Sequence, residues 1–362
     1  MNRKLKQLIS LLFMISLMVI TSYFIFKDQS FSDLIEMLKN VNPFYVLLGL
    51  SMMFIFVGCE ALNTFSILRA LGQKVSYLKC LGFAFIGFYF SSITPSSSGG
   101  QPAQMFYMNK AKINLSYSSL NLLIITVVYQ IVMMIYGLIM FFLNYDFLMS
   151  NLEGLQAIKY FLIFSVTINT LLTIGILLAM FSKKIVYRMI NALTKILIFM
   201  QIKKVNRINE TLRALVQEYT NGAAYIKTQP WLLVRVVLTT TIQLTATYMV
   251  PYFVYKAFNL DDYTTLQMIG LQALVSLAVS SIPLPGAVGA SEGAFMNAFK
   301  LFFGNTLIVP AMLLCRGISF YSFLIISAII SMIVHFILTK EPSAKYTSQA
   351  RTSTSTLINI KA

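Results

Sequence analysis

Long apolar runs separated by short polar stretches set the plan of this chain. They occupy residues 8–26, 44–68, 118–143, 159–181, 231–255 and 306–338. Each is near or beyond the roughly 20 residues that one membrane crossing needs. Two further apolar pieces, 81–93 and 266–282, lead into stretches that cannot cross lipid as plain helices. The first is Thr94-Pro-Ser-Ser-Ser-Gly-Gly-Gln-Pro102 and the second is Ser281-Ile-Pro-Leu-Pro-Gly-Ala-Val-Gly-Ala-Ser-Glu-Gly293. Proline removes a backbone donor and glycine loosens the chain. In hydrocarbon every freed N–H and C=O must be met inside the protein. The pattern therefore predicts an all-α polytopic membrane protein with two re-entrant or broken helical hairpins. Each hairpin is expected to be buried in protein or to line a wet cavity. The last run, 306–338, is either one long tilted helix or a helix broken near Gly317.

The polar stretches suggest which way the chain runs. Arg3, Lys4 and Lys6 precede the first run, which reads as an uncleaved span with its N-terminus in the cytoplasm. Acidic loops around Asp33 and Glu36, around Asp146 and Glu153, and at Asp261 and Asp262 read as external. Arg69, Lys74 and Lys79 precede the first broken stretch, and Lys110 and Lys112 follow it. That hairpin is thus expected to enter and leave from the cytoplasm, and the second from outside. Halves of about 1–150 and 158–340 then form an inverted-repeat helical bundle, an architecture of transporters with a site at the bilayer midplane. Residues 182–230 carry nine Lys or Arg against Glu210 and Glu218, with apolar positions at helical spacing. They read as two amphipathic helices on anionic headgroups at the cytoplasmic face, or as a helical linker packing on itself. The tail, 341–362, is basic and is expected to be disordered and cytoplasmic.

Composition agrees, with 57% of the chain apolar and 11% charged. A soluble domain carries about 25% charged residues. The net charge of +16 sits between the apolar runs, which fits cytoplasmic membrane loops and argues against nucleic acid. Cys59, Cys80 and Cys315 lie in apolar runs, and His335 is the one histidine, so no metal site is expected. No cofactor motif, phosphate loop or catalytic constellation is present in the pattern, and no catalytic residue is assigned.

Candidate substrate-binding residues come from the broken stretches. Glu292 is an ionisable group at membrane depth, which costs about 2.5–3.5 kcal/mol on the gentler scales. Arg316, in the next span, has the opposite sign. The two can pair and pin the hairpin, or Arg316 can take a lipid phosphate through its planar fork. Alternatively Glu292 faces a cationic headgroup. Thr94, Ser96, Ser98, Gly99, Gly100 and Gln101 could form an anion-binding turn, or a tight turn satisfied by its own side chains. Ser291 stands where a half-helix N-terminus would add positive potential. Glu60 shares a helix face with Asn63 and Thr64, and is placed near enough to the cytoplasmic end to snorkel. Thr240, Gln243 and Thr247 form a second polar stripe, and Gln130 sits within a span. Arg235 and His335 read as interface residues.

The two broken motifs, with Arg316 some twenty residues beyond the second, resemble the lysylphosphatidylglycerol synthase transmembrane-region family. This is the flippase-like membrane part of the bacterial multiple peptide resistance factor. The resemblance covers residues 5–340. Full-length members join this part to a soluble domain that transfers lysine or alanine from tRNA to phosphatidylglycerol, and here only a short tail follows the last span. The resemblance implies a phospholipid flippase of the bacterial cytoplasmic membrane, acting on anionic or aminoacylated phosphatidylglycerol-type lipids. Its rivals are the membrane subunit of a phosphatidylglycerol lysyltransferase and a lipid-binding scaffold. The implied partners are a phospholipid substrate, anionic headgroups, and a second copy or a separate synthase. Single cysteines placed at Lys110 and Lys300 should react with impermeant thiol reagents from opposite sides of the membrane. Labelling from one side would remove the inverted arrangement.

Overall fold

The computed structural model describes residues 39–150, 167–171, 228–280 and 284–340, together with residues 36, 224 and 282. The expected first span, most of the span at 159–181, the amphipathic section up to 227 and the tail lie outside the described residues. So does the Ser96 side chain. The described residues are helical, with no strand among them. In chain order the helices are α1 (Pro43–Ala70), α2 (Tyr77–Ser92), α3 (Gly100–Lys110), α4 (Leu115–Leu143) and α5 (Tyr145–Ser150). They continue with α6 (Pro230–Tyr248), α7 (Val250–Ala257), α8 (Thr265–Val279), α9 (Ala290–Arg316) and α10 (Ser322–Lys340). Tight 3₁₀ turns at Pro95–Ser97 and Pro285–Ala287 form the tips of the two hairpins, and a wide π turn, Gly317–Tyr321, joins α9 to α10.

Local chemistry explains where the helices begin. The Asn42 side chain accepts the Phe44 N–H at 3.0 Å, and Pro43 opens α1 with its φ already helical. Asn114 caps α4 in the same way through the Ser116 N–H. At α8 the Thr264 hydroxyl and the Gln267 side chain satisfy one another's backbone N–H groups.

The two halves are copies in build. Adding 190 to a residue number carries Pro95 to Pro285, Ser97 to Ala287, Gly100 to Ala290 and Asn114 to Gly304. Both tips open on a proline, and both end on a non-glycine residue with positive φ, 53° at Ser97 and 51° at Ala287. Both close with a 3.1 Å bond to the proline carbonyl, from the Ser98 N–H and from the Val288 N–H. The same shift lays α1 over α6 and α7, and α2 over α8, within three residues at each end. These equivalent helices run antiparallel where they pack. Asn63 meets Thr240 and Glu60 meets Gln243, while the Asn42 N–H bonds the Ala257 carbonyl. Opposed directions in equivalent helices are the relation of an inverted repeat, as the loop charges suggested.

Long apolar stretches that suit a membrane crossing are Pro43–Ala70, Leu115–Leu143, Pro230–Ala257 and Pro285–Leu338. The last is 54 residues long and is not one straight rod. Glu292 and Arg316 would stand about 36 Å apart on an unbroken helix, at 1.5 Å per residue. Their side chains are bonded at 2.8 Å, so the chain doubles back between them. The reversal is at Gly304, with φ 65° and ψ −174°, midway between the two residues. The first leg of α9 runs from Ala290 to this reversal. The second leg continues through the wide turn at Gly317 into α10, so the run 306–338 is interrupted there, though not stopped.

Apolar side chains such as Leu138 and Phe142 on α4, and Ile325, Ile329 and Phe336 on α10, remain exposed. In a membrane protein these faces meet lipid. The interior is aromatic-rich, with Phe295 stacked on Phe299 at 4.4 Å beside Phe302 and Phe303.

Gly304 occupies backbone space that is almost closed to other residues, with nothing within 4 Å of where a Cβ would stand. Gly304→Ala should therefore cost about 1–3 kcal/mol through strain alone. Gly293→Ala also meets nothing and has ordinary helical backbone, so it should be neutral or mildly stabilising. Thermal melting of the purified variants in detergent tests the contrast.

Candidate functional site

The two tips touch and together form one end of a cavity of about 700 Å³ between the halves. A Cβ on Gly286 would lie 3.3 Å from the Ser92 carbonyl and would run into the Phe320 ring. With φ at 58°, glycine is required there twice over. The remaining walls come from α1, α2, α3, α4, α8, α9, the wide turn at Gly317–Tyr321 and the junction of α6 with α7.

Glu292 and Arg316 hold the second tip. Glu292 is 3% exposed. Its Oε2 accepts the Gly289 N–H at 2.7 Å and the Ser291 hydroxyl at 3.0 Å. Its Oε1 accepts the Arg316 Nε–H at 2.8 Å. Arg316 also donates from Nη2 to the Gly286 carbonyl at 3.1 Å, and its guanidinium lies 4.3 Å from the Phe320 ring centre. The carboxylate thus caps α9, while the guanidinium ties the tip to the helix leading into the wide turn. Both stand twelve residues from the Gly304 reversal, about 18 Å along their legs. Arg316 lines the cavity; Glu292 lies behind it.

In the first tip the equivalent N–H, that of Gly99, is taken by the Thr94 hydroxyl at 2.9 Å, which itself donates to the Phe90 carbonyl at 2.6 Å. The Ser97 and Ser98 N–H groups are also spent inside the turn. Of the two possibilities for this stretch, the self-satisfied turn is the one its hydrogen bonds describe. Gln101 donates to Thr126 at 2.5 Å, which ties this hairpin to α4 as Arg316 ties the other to its own second leg. Thr126 is the residue that the 190 shift carries to Arg316.

Glu60 also lines the cavity, from α1. The sequence left two readings for it, a substrate-binding role or snorkelling to the cytoplasmic face. It sits ten residues inside the end of α1 and faces the cavity, because two amides hold it there. Its Oε2 accepts Gln243 Nε2 at 3.0 Å, and its Oε1 accepts Gln104 Nε2 at a longer 3.5 Å. Gln104 reaches it by passing over Gly87 on α2, where any Cβ would overlap the amide.

The cavity therefore gathers Arg316, Glu60, Gly100, Gln101 and Ser291 from the predicted set. It leaves Thr94, Ser98, Gly99 and Glu292 off its wall, where Thr94, Gly99 and Glu292 support the tips. Gln104, Tyr129 and Gln272 are polar wall residues that the sequence did not single out. Gln104 is one amide in a short helix, and only Gly87 opposite it, 17 residues upstream, would have hinted at its reach. The other polar stripes bond between helices, and Gln130 and Thr247 among them also line the cavity. Thr240 receives Asn63 at 3.0 Å. Gln130 bonds Asn169, which donates to Ser280 at 2.8 Å. His335 pairs with Tyr107 at 2.8 Å, and Arg235 is exposed.

Two inverted halves closing on a charged cavity define an all-α polytopic membrane protein. Residues 7–327 match the family described as lysylphosphatidylglycerol synthase TM region, and the chain belongs to that family. It is also 24% identical over 299 residues to a UPF0104 membrane protein of Pyrococcus horikoshii, a match spanning 79% of this chain and 86% of that protein.

Removing one member of a buried pair strands the other. Arg316→Met should cost about 3–5 kcal/mol, and Glu292→Gln less, because the amide can still serve part of the cap. The double variant should be more stable than the sum of the two losses. Melting curves of all four proteins would expose simple additivity, which would mean that the pair is not coupled.

Proposed function

We propose that this protein is a phospholipid flippase of the cell membrane, and that Arg316 receives the headgroup phosphate. The observation that carries this reading is the cavity shared by both tips, with a guanidinium on its wall. Its volume of about 700 Å³ suits a headgroup and not two acyl chains. The chains would remain in the surrounding lipid. Two of the five guanidinium N–H groups are engaged by Glu292 and Gly286, which fixes the plane of the fork without using it up. A phosphate diester fits that fork, and family membership points to phosphatidylglycerol-type lipids, plain or aminoacylated. Rocking of one half against the other about the meeting tips would open the cavity to each leaflet in turn. The termini are taken as cytoplasmic from the loop charges.

Charge-assisted hydrogen bonds are worth about 1.5–3 kcal/mol, so Arg316→Gln should slow transport roughly ten- to a hundredfold. Proteoliposomes containing fluorescent phosphatidylglycerol, read by reduction of the dye in the outer leaflet, measure this. Wild type that moves lipid no faster than protein-free vesicles would overturn the reading and favour a lipid-binding scaffold.

A further inference from the structure

The charges on the cavity do not balance. Glu292 and Arg316 cancel as a pair, which leaves Glu60 as a carboxylate with no ion-pair partner among the described residues. Gln104 and Gln243 offer it N–H groups but no charge. On the same cluster the Gln243 Oε1 is buried and unpaired, and so is the Oε1 of Gln272 on the cavity wall. Gln243 is fully buried. The site is therefore served by donors in one state of Glu60 and keeps acceptors in reserve.

Resting on the reading of Arg316 as a phosphate site, we propose that Glu60 binds a proton when a phosphate diester docks in the cavity. The physical reason is like-charge repulsion in a small, poorly solvated space. An empty cavity holds one uncompensated negative charge, and a docked diester makes two. One proton from bulk water adds to a Glu60 carboxylate oxygen and returns the total to one; it leaves to water when the headgroup does. A half-turn of the Gln243 amide would give the new O–H an acceptor, the Oε1 that now has none. Coupling of this kind is reciprocal, so protons tighten headgroup binding by the same factor as the headgroup tightens proton binding. Transport would then draw on a proton gradient.

Other ionisable groups lie on the cavity wall and on the helices packed around it. On the cavity wall are Tyr129 from α4, and Cys315 and Arg316 from α9. The α2 helix brings Tyr77, bonded to the Gly58 carbonyl, and buried Cys80; Cys59 is its neighbour on α1. From α3 comes Tyr107 with His335, from α6 Tyr248, and from α7 Tyr255, which accepts the Asp262 N–H. Free tyrosine, cysteine and arginine all titrate above neutral pH. His335, the one histidine of the chain, serves as the control.

Calorimetric titration of the full chain in detergent with dihexanoyl-phosphatidylglycerol, in buffers of different ionisation heat, counts protons directly. Wild type should take up about one proton per lipid near neutral pH and bind more tightly as pH falls, by at most about tenfold per unit. Glu60→Gln should lose both the uptake and the pH dependence, while His335→Gln keeps them. Binding without proton uptake, or uptake that survives Glu60→Gln, overturns the proton role and leaves the headgroup site standing. No lipid binding at any pH overturns both. Should Glu60→Gln fail to fold, the wild-type count and its retention in His335→Gln decide the matter. Dimethyl phosphate, a diester without glycerol or acyl chains, is titrated in parallel. Equal affinity for it would assign the site to soluble diesters and overturn the lipid half of the proposal.

Discussion

Backbone that leaves the helix inside a membrane must find partners within the protein, and this fold is arranged around two places where that happens. At each tip a proline opens a three-residue turn, and the following glycine N–H needs an acceptor. The first half supplies it from Thr94, five residues before Gly99. The second half supplies it from Glu292, three residues after Gly289. The choice has consequences. A hydroxyl is neutral and ends the matter locally. A carboxylate brings a charge that demands a cation, and Arg316 answers from the far side of the Gly304 reversal. The tips then rest on one another, with Gly286 close to the Ser92 carbonyl.

Symmetry of build with asymmetry of charge follows from this. The halves share turns, helix bounds and even the tether from each hairpin to the next helix, Gln101 to Thr126 in one and Glu292 to Arg316 in the other. Their chemistry differs. The second half contributes the guanidinium, and the first contributes Glu60, whose place in the other half is taken by Val250. An inverted pair of identical scaffolds would serve inward and outward states equally well. Unlike side chains at matched positions allow one cavity to present a cationic wall and an anionic wall at once.

Much of the architecture was legible in the chain. Run lengths, the two Pro/Gly stretches and the alternating sign of the loops are local properties, and they predicted the hairpins and their opposed entrances. Glu292 and Arg316 stood out because an ionised group inside an apolar run is costly wherever it points. Their pairing was one of several possibilities, since 24 residues separate them and the reversal at Gly304 carries a single glycine as its signal. Glu60 was noticed, but the direction of its side chain was left open. Its distance from the helix end allowed snorkelling, and only the arrival of Gln243 from 183 residues away, and Gln104 from 44, holds it on the cavity wall. Gln104 itself was invisible, because a lone amide in a short helix says nothing about what it will reach.

By itself, then, the sequence determined that this is a helical membrane protein with two interrupted hairpins, because hydropathy and backbone chemistry act residue by residue. It also determined which charges would need an explanation. Tertiary structure alone decided which of them neutralise each other and which face the cavity. That outcome depends on contacts between elements tens to hundreds of residues apart, and no local pattern encodes such distances.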